Sequence, residues 1–184
     1  MNFATRIAVT VTFLRADRLP PGDAIFPAGC TLQRLERPTV DFYRYLYDTV
    51  GASYCWWLRR ALPDTAIAGI IGDRAVGIYV LSSGGEPLGF FELDARARPD
   101  VNLSYFGLMP GAIGRGLGAQ LLRAALEEAF GMTARGVTVN TCTADHPRAL
   151  PNYLRAGFRS VRGVRELWDI PNRLGMAIPE HLRV

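Results

Sequence analysis

The chain has 184 residues, 49% of them apolar and 21% charged, with a formal net charge of +4. That length suffices for one domain with a proper core, and the composition is far from that of a disordered chain. All 21 basic residues are arginine, which excludes lysine chemistry by the chain itself, whether a Schiff-base amine or a Walker-type phosphate lysine. The diffuse positive charge argues against nucleic-acid binding and suits an anionic small molecule. Cys30, Cys55 and Cys142 form no C-x-x-C pair, and His146 and His181 are the only imidazoles, so neither a disulfide scaffold nor a metal site is expected. The most apolar stretches, 7–14 and 66–71, fall well short of the roughly 18 residues that cross a bilayer, and no signal-peptide pattern opens the chain. A cytoplasmic protein with no membrane partner is expected.

The first element, over 7–13, is rich in β-branched residues and predicts a strand that ends before the Pro20-Pro21-Gly22 turn. Residues 38–50 predict a helix capped by Thr39 and closed by Gly51, with Phe42, Tyr45 and Leu46 at helical spacing. A shorter helix is predicted near 54–62, stopped by Pro63. Residues 75–81 and 88–93 predict two strands joined by Ser82-Ser83-Gly84-Gly85-Glu86, and 101–109 a third, so the middle of the chain reads as an antiparallel meander. Next, Pro110-Gly111-Ala112-Ile113-Gly114-Arg115-Gly116-Leu117-Gly118 leads into 119–130. There Leu117, Leu121, Ala124, Ala125 and Ala129 share one face of an amphipathic helix. A strand over 137–142, a short helix over 147–156 and one or two strands through Leu167 follow. No repeat or linker divides the chain, so 1–184 reads as a single domain.

A strand, a glycine-rich turn and a helix N-terminus together make an anion site, because unpaired backbone N–H groups converge where the helix dipole is positive. Main-chain amides can hold phosphates without any lysine. The same glycines could instead serve only a tight turn. Gly114, Gly116 and Ala119 also fit the relaxed dinucleotide pattern G-x-G-x-x-A, which would imply a Rossmann-type protein. Against that, too few residues follow Gly118 for the usual alternation of strands and helices, and the preceding strands read as a meander.

The residues resemble the GNAT superfamily of N-acetyltransferases. Residues 110–118 match the spacing of its Q/R-x-x-G-x-G/A loop with Gly116 and Gly118 on the two glycines, and Ala149, Tyr153, Gly157 and Phe158 match a second family segment. The resemblance implies an α+β fold: a mixed, mainly antiparallel twisted sheet flanked by helices, with splayed central strands at 101–109 and 137–142. It implies a cofactor-binding core over about 101–158 and acceptor-side helices over about 38–62. Acetyl-CoA is the implied cosubstrate. By this analogy, main-chain groups of Leu108 and Met109 hold the pantetheine arm. The amides of Ile113, Gly114, Arg115, Gly116, Leu117, Gly118 and Ala119 hold the pyrophosphate, and the Arg115 side chain either adds a charged contact or is a solvated arginine at the helix start. Ile113 stands where the family usually carries glutamine or arginine. His146 stands where it often has asparagine, and either bonds the cofactor or caps the helix after Asp145.

The implied activity is acyl-CoA-dependent transfer of an acetyl group to a primary amine of a small molecule, peptide or protein. Tyr153 is the implied acid for the departing thiolate. The family position that carries a glutamate base corresponds to Asn102, so Glu92 on the neighbouring strand is the candidate base, with ordered water as the alternative. A non-catalytic acyl-CoA sensor is the competing reading. Phe42, Tyr43, Tyr45, Tyr47, Tyr54, Trp56 and Trp57 could form an aromatic wall for the amine or simply pack in the core. Asp41, Asp48 and Asp64 could recognise an ammonium. A homodimer through the aromatic helices or the C-terminal strands is compatible with the sequence.

Overall fold

The computed structural model describes residues 3–184. Its seven strands are β1 (Ala4–Ala16), β2 (Cys30–Arg34), β3 (Val76–Ser83), β4 (Glu86–Asp94), β5 (Asp100–Leu108), β6 (Gly136–Cys142) and β7 (Arg159–Pro171). They form one sheet in the order β2-β3-β4-β5-β6-β1-β7. Every pairing is antiparallel except that of β5 with β6. The fold is therefore α+β with a mixed, mainly antiparallel sheet.

Successive strand residues face opposite ways, which divides the core in two. On β4, Phe91 and Leu93 join the core beneath α4 (Leu117–Gly131) and α5 (Ala149–Arg155). Phe90 faces the other way, toward α1 (Val40–Gly51) and α3 (Asp64–Ile71), with the one-turn α2 (Leu58–Ala61) between them. Leu117, Leu121, Ala125 and Ala129 of α4 are all buried, as their spacing predicts. The β3–β4 hairpin turns at Gly84 (φ 58°) and Gly85 (φ 85°), a pair of left-handed residues that suits the strand twist. Thr39 caps α1 by accepting a hydrogen bond from the Phe42 amide at 3.2 Å. Thr39→Ala should lower stability by about 1 kcal/mol in urea unfolding, with no change in m-value.

Three elements depart from expectation. β2 is a largely exposed edge strand without clear alternation. The sequence of α3, DTAIAGII, is too uniformly apolar in its second half to show a helical period. The helix expected near 54–62 is realised only as the single turn α2. β1 and β7 are each 13 residues long and pair with one another from Ala4↔Pro171 to Arg15↔Arg159. β1 also pairs with β6, so the first strand sits between two strands from the other end of the chain.

The parallel contact between β5 and β6 is short. Only Asp100↔Gly136, Val101↔Val137 and Asn102↔Thr138 are in register, and beyond them the strands diverge. Asn102 closes the base of this gap, its Nδ2 donating to the Thr138 hydroxyl at 3.0 Å and carbonyl at 3.3 Å, while Ser104 Oγ donates to Asn102 Oδ1 at 3.0 Å.

Candidate active site

Beyond Asn102, β5 stays paired with β4 as far as Gly89↔Leu108, but its edge toward β6 carries no strand. The Met109 amide donates to the Leu88 carbonyl at 2.9 Å, and the Met109 carbonyl accepts from the Ala112 amide at 2.8 Å. Met109 therefore belongs to its own sheet and turn and does not offer its main chain to the gap, contrary to the sequence expectation. Backbone groups alternate along a strand, so those of Leu108 and Phe106 point the other way, into the opening. The gap widens into a cavity of about 1210 Å³ that reaches the glycine loop at one end and the residues around α2 at the other.

The glycine loop works differently from its motif reading. Gly114 (φ 83°) and Gly116 (φ 77°) are the left-handed residues, and a Cβ on either would meet nothing within 4 Å. Only glycine adopts this backbone without strain, and the empty space leaves room for a ligand against the main chain. Gly118 is an ordinary helical residue whose missing Cβ would lie 3.7 Å from the Leu108 side chain. Gly116 is the N-cap of α4 and no side chain caps the helix, so its first amides are unpaired. The Ile113 amide is not one of them, because it donates to the Pro110 carbonyl at 3.3 Å in the preceding 3-10 turn. Ile113, Gly114, Gly116, Gly118 and Ala119 border the cavity. Leu117 buries its side chain in the core and can offer only its amide. The Arg115 side chain is exposed and does not border the cavity, whereas Arg148 and Arg155 do. Sequence reasoning missed those two, one the residue before α5 and the other its last residue, because neither is a position that the family segment fixes.

Tyr153 on α5 is buried between Phe106 and Phe158, with ring centroids 6.1 Å and 5.6 Å away, and it borders the cavity. Its hydroxyl makes no hydrogen bond among the described residues. Burial, with the negative charge of Asp145, pushes its pKa above the ordinary phenol value. His146 borders the cavity, and in the turn before α5 its Nδ1 accepts from the Arg148 amide at 3.1 Å and its carbonyl from the Ala149 amide at 2.8 Å. Burial, reinforced by Asp145, pushes the Cys142 thiol up to about 12, so it stays protonated in the cleft rather than competing as a nucleophile.

Glu92 lies elsewhere than expected. It is fully buried under α1 and does not border the cavity. Tyr43 Oη donates to its Oε2 at 2.6 Å, and Arg59 Nη2 donates to its Oε1 at 2.7 Å. A carboxylate held in this way has no open face toward an amine in the cleft. Arg59 stands between Glu92 and the cavity, with its guanidinium 5.1 Å from the Tyr105 ring centroid. Tyr47, Trp56 and Tyr105 pack together beside it at centroid distances of 4.8 to 5.2 Å. Tyr47, Tyr54, Trp56 and Trp57 border the cavity, Tyr43 lies beneath it, and Phe42 stacks on Tyr45 away from it. Asp48 and Asp64 pair with Arg60 and Arg44. No sequence pattern linked Arg59 to Glu92.

Residues 33–158 match the model of the Acetyltransferase (GNAT) family. The chain belongs to this family. The matched span includes the glycine loop, the gap and α5, and leaves β1 and β7 outside. No curated protein matches the chain. Among solved structures, this GNAT chain is similar to a GCN5-related N-acetyltransferase from Kribbella flavida, with 18% identity and a TM-score of 0.58, covering 91% of this chain and 60% of that one. A tandem GNAT protein from the clavulanic acid biosynthesis pathway has 21% identity and a TM-score of 0.61, with 91% and 55% covered. An aminoglycoside acetyltransferase from an uncultured soil metagenomic sample has 14% identity and a TM-score of 0.56, with 70% and 87% covered. The chain thus spans just over half the length of several GNAT structures that it resembles.

Proposed function

We propose that the chain is an acyl-CoA-dependent N-acyltransferase that moves an acetyl group from acetyl-CoA to an amine. The observation that carries this reading is the continuity of three features: an uncapped helix N-terminus with two left-handed glycines, an unpaired β5 edge, and a cavity that joins them to a second, aromatic chamber. The residues fit coenzyme A. Amides of Gly114 and Gly116 to Ala119 would hold the pyrophosphate, and main-chain groups of Leu108 and Phe106 would hold the pantetheine arm. No lysine is needed. The cosubstrate supplies the activated thioester acetyl group.

The chain's own part is to bind, orient and manage protons. Tyr153 Oη holds a proton for the departing sulfur and, with its raised pKa, keeps it throughout the neutral range. With Glu92 engaged by Arg59 and Tyr43, ordered water is the better candidate to remove the amine proton. Glu92→Gln should then leave the acid limb of the rate profile in place, which pH-dependent kinetics would show. The Rossmann alternative finds no support in a sheet whose only parallel contact spans three residue pairs.

Thiol release from acetyl-CoA in the presence of an amine panel tests the reading. Acceptor-dependent release is expected, whereas tight coenzyme A binding with no release from any amine would favour the sensor. Gly116→Ala places a side chain in the left-handed region, at a cost of about 1–2 kcal/mol, and should weaken coenzyme A binding about tenfold in calorimetry.

A further inference from the structure

The geometry points to a small amine bearing a carboxylate as the acceptor, with Arg59 as the residue that reads the carboxylate. This inference rests on the transferase reading above and concerns the half of the cavity that the family match does not explain.

Arg59 is a charged group with 15% of its side chain exposed, and it borders the cavity. Two of its three nitrogens are fixed from behind. Nε donates to Tyr43 Oη at 3.1 Å and Nη2 to Glu92 Oε1 at 2.7 Å, and the guanidinium plane is held over Tyr105. Nη1 has no partner among the described residues, and it is not one of the buried atoms left unsatisfied, so it is open to the cavity. An arginine held through two nitrogens and over an aromatic ring, with the N–H groups of the third nitrogen open, is preorganised for an anionic oxygen, because its side-chain entropy is already lost.

The carboxylates bordering the cavity are largely engaged. Asp94 accepts on both oxygens from Arg96, with the shortest bond 2.6 Å from Nη2 to Oδ2. Asp145 accepts from Trp56 Nε1 at 3.3 Å, from Thr141 Oγ1 at 2.8 Å and from the Cys142 amide at 2.9 Å. Glu166 Oε2 accepts from Trp168 Nε1 at 2.7 Å, leaving one oxygen for a cation. A polycationic acceptor would need several free carboxylates, and the chamber offers one such oxygen. Its most deeply anchored cationic donor is Arg59, beside an apolar wall of Trp56 and Tyr105, whereas Arg96 on Asp94 is 45% exposed. That combination favours a compact zwitterion with an apolar body over a polyamine.

The test compares phenylalanine, phenylalaninamide and phenethylamine as acceptors for the full chain with acetyl-CoA. The amide is the more easily deprotonated amine, so a preference for the acid runs against intrinsic reactivity. Losing a charge-assisted hydrogen bond should lower kcat/KM about tenfold or more for the two acceptors without a carboxylate. Arg59→Gln together with Glu92→Gln removes both charges and should bring the three acceptors to similar kcat/KM, mainly through KM for the acid. All three tryptophans, Trp56, Trp57 and Trp168, border the cavity. Quenching of their fluorescence by N-acetylphenylalanine, but much less by its amide, is therefore expected independently of turnover. Equal or better transfer to the amide or to phenethylamine, or transfer to polyamines with none to the acid, would overturn the carboxylate reading and leave the transferase reading intact. Absence of thiol release with every acceptor would overturn the transferase reading, and the fluorescence comparison would then decide the Arg59 reading alone. If the double variant does not fold, the three-acceptor comparison on the unaltered chain decides it.

Discussion

Tyr153→Phe should lower kcat about a hundredfold, the scale of a lost general acid, while coenzyme A affinity and thermal stability stay close to those of the parent chain. Stability should be spared because the Tyr153 hydroxyl bonds no other described residue, so removing it orphans no partner and the ring keeps its contacts with Phe106 and Phe158. The pH dependence follows from the direction of the shift. Burial raises this phenol's pKa, so the proton is present below the raised value, and activity that depends on it should persist through and beyond the ordinary phenol titration near about 10. Steady-state kinetics from pH 6 to 10 would check both parts. A variant with unchanged kcat across that range would remove Tyr153 from the mechanism.

Glu92→Ala should destabilise the chain by about 3–5 kcal/mol, because it strips the counter-charge from a largely buried guanidinium. It also removes the acceptor of the Tyr43 hydroxyl. Replacing both partners, as in Arg59→Met with Glu92→Met, should cost far less, since neither charge is then stranded. Urea unfolding of the two variants separates the readings. A catalytic base at the cavity wall would give a mild change in stability with a large loss of rate, whereas the buried pair gives the reverse order for Glu92→Ala. The non-additivity of the pair, measured in a double-mutant cycle, isolates their coupling.

What could be read from the sequence and what could not divides along contact range. The glycine loop and the segment from Ala149 to Phe158 are contiguous patterns, and their strands, helix and turn fall where local propensity puts them. The loop's detail was less legible: the motif points to Gly116 and Gly118, while backbone conformation depends on Gly114 and Gly116. The same is true of Ile113 and Met109, whose amides lie within the expected stretch but close local turns or pairings. The chamber beside α2 was almost illegible. Arg59 meets Glu92 from 33 residues away and Trp56 meets Asp145 from 89, with no periodic signal joining either pair. Glu92 looked available because carboxylates are scarce in the meander, but a strand residue's role depends on which face it occupies and on what the facing helix brings. Tyr43 of α1, which lies in no motif, meets Glu92 from 49 residues away.

The position of β1 carries a consequence for how the protein comes to exist. Among the described residues this strand pairs with β6 and β7, and Ile7 bridges to Arg183, all of which are synthesised after it. At about 5–20 residues per second its partners follow on the order of ten seconds later. Throughout that interval Ile7, Val9 and Val11, all buried at the end, belong to an unmatched apolar strand. Val11 and Phe13 also border the cavity, as do Glu166 and Trp168 of β7, so the cleft is complete only once β7 has been made. Ligand binding should therefore appear late in folding, after the pairing of β1 with β6 and β7.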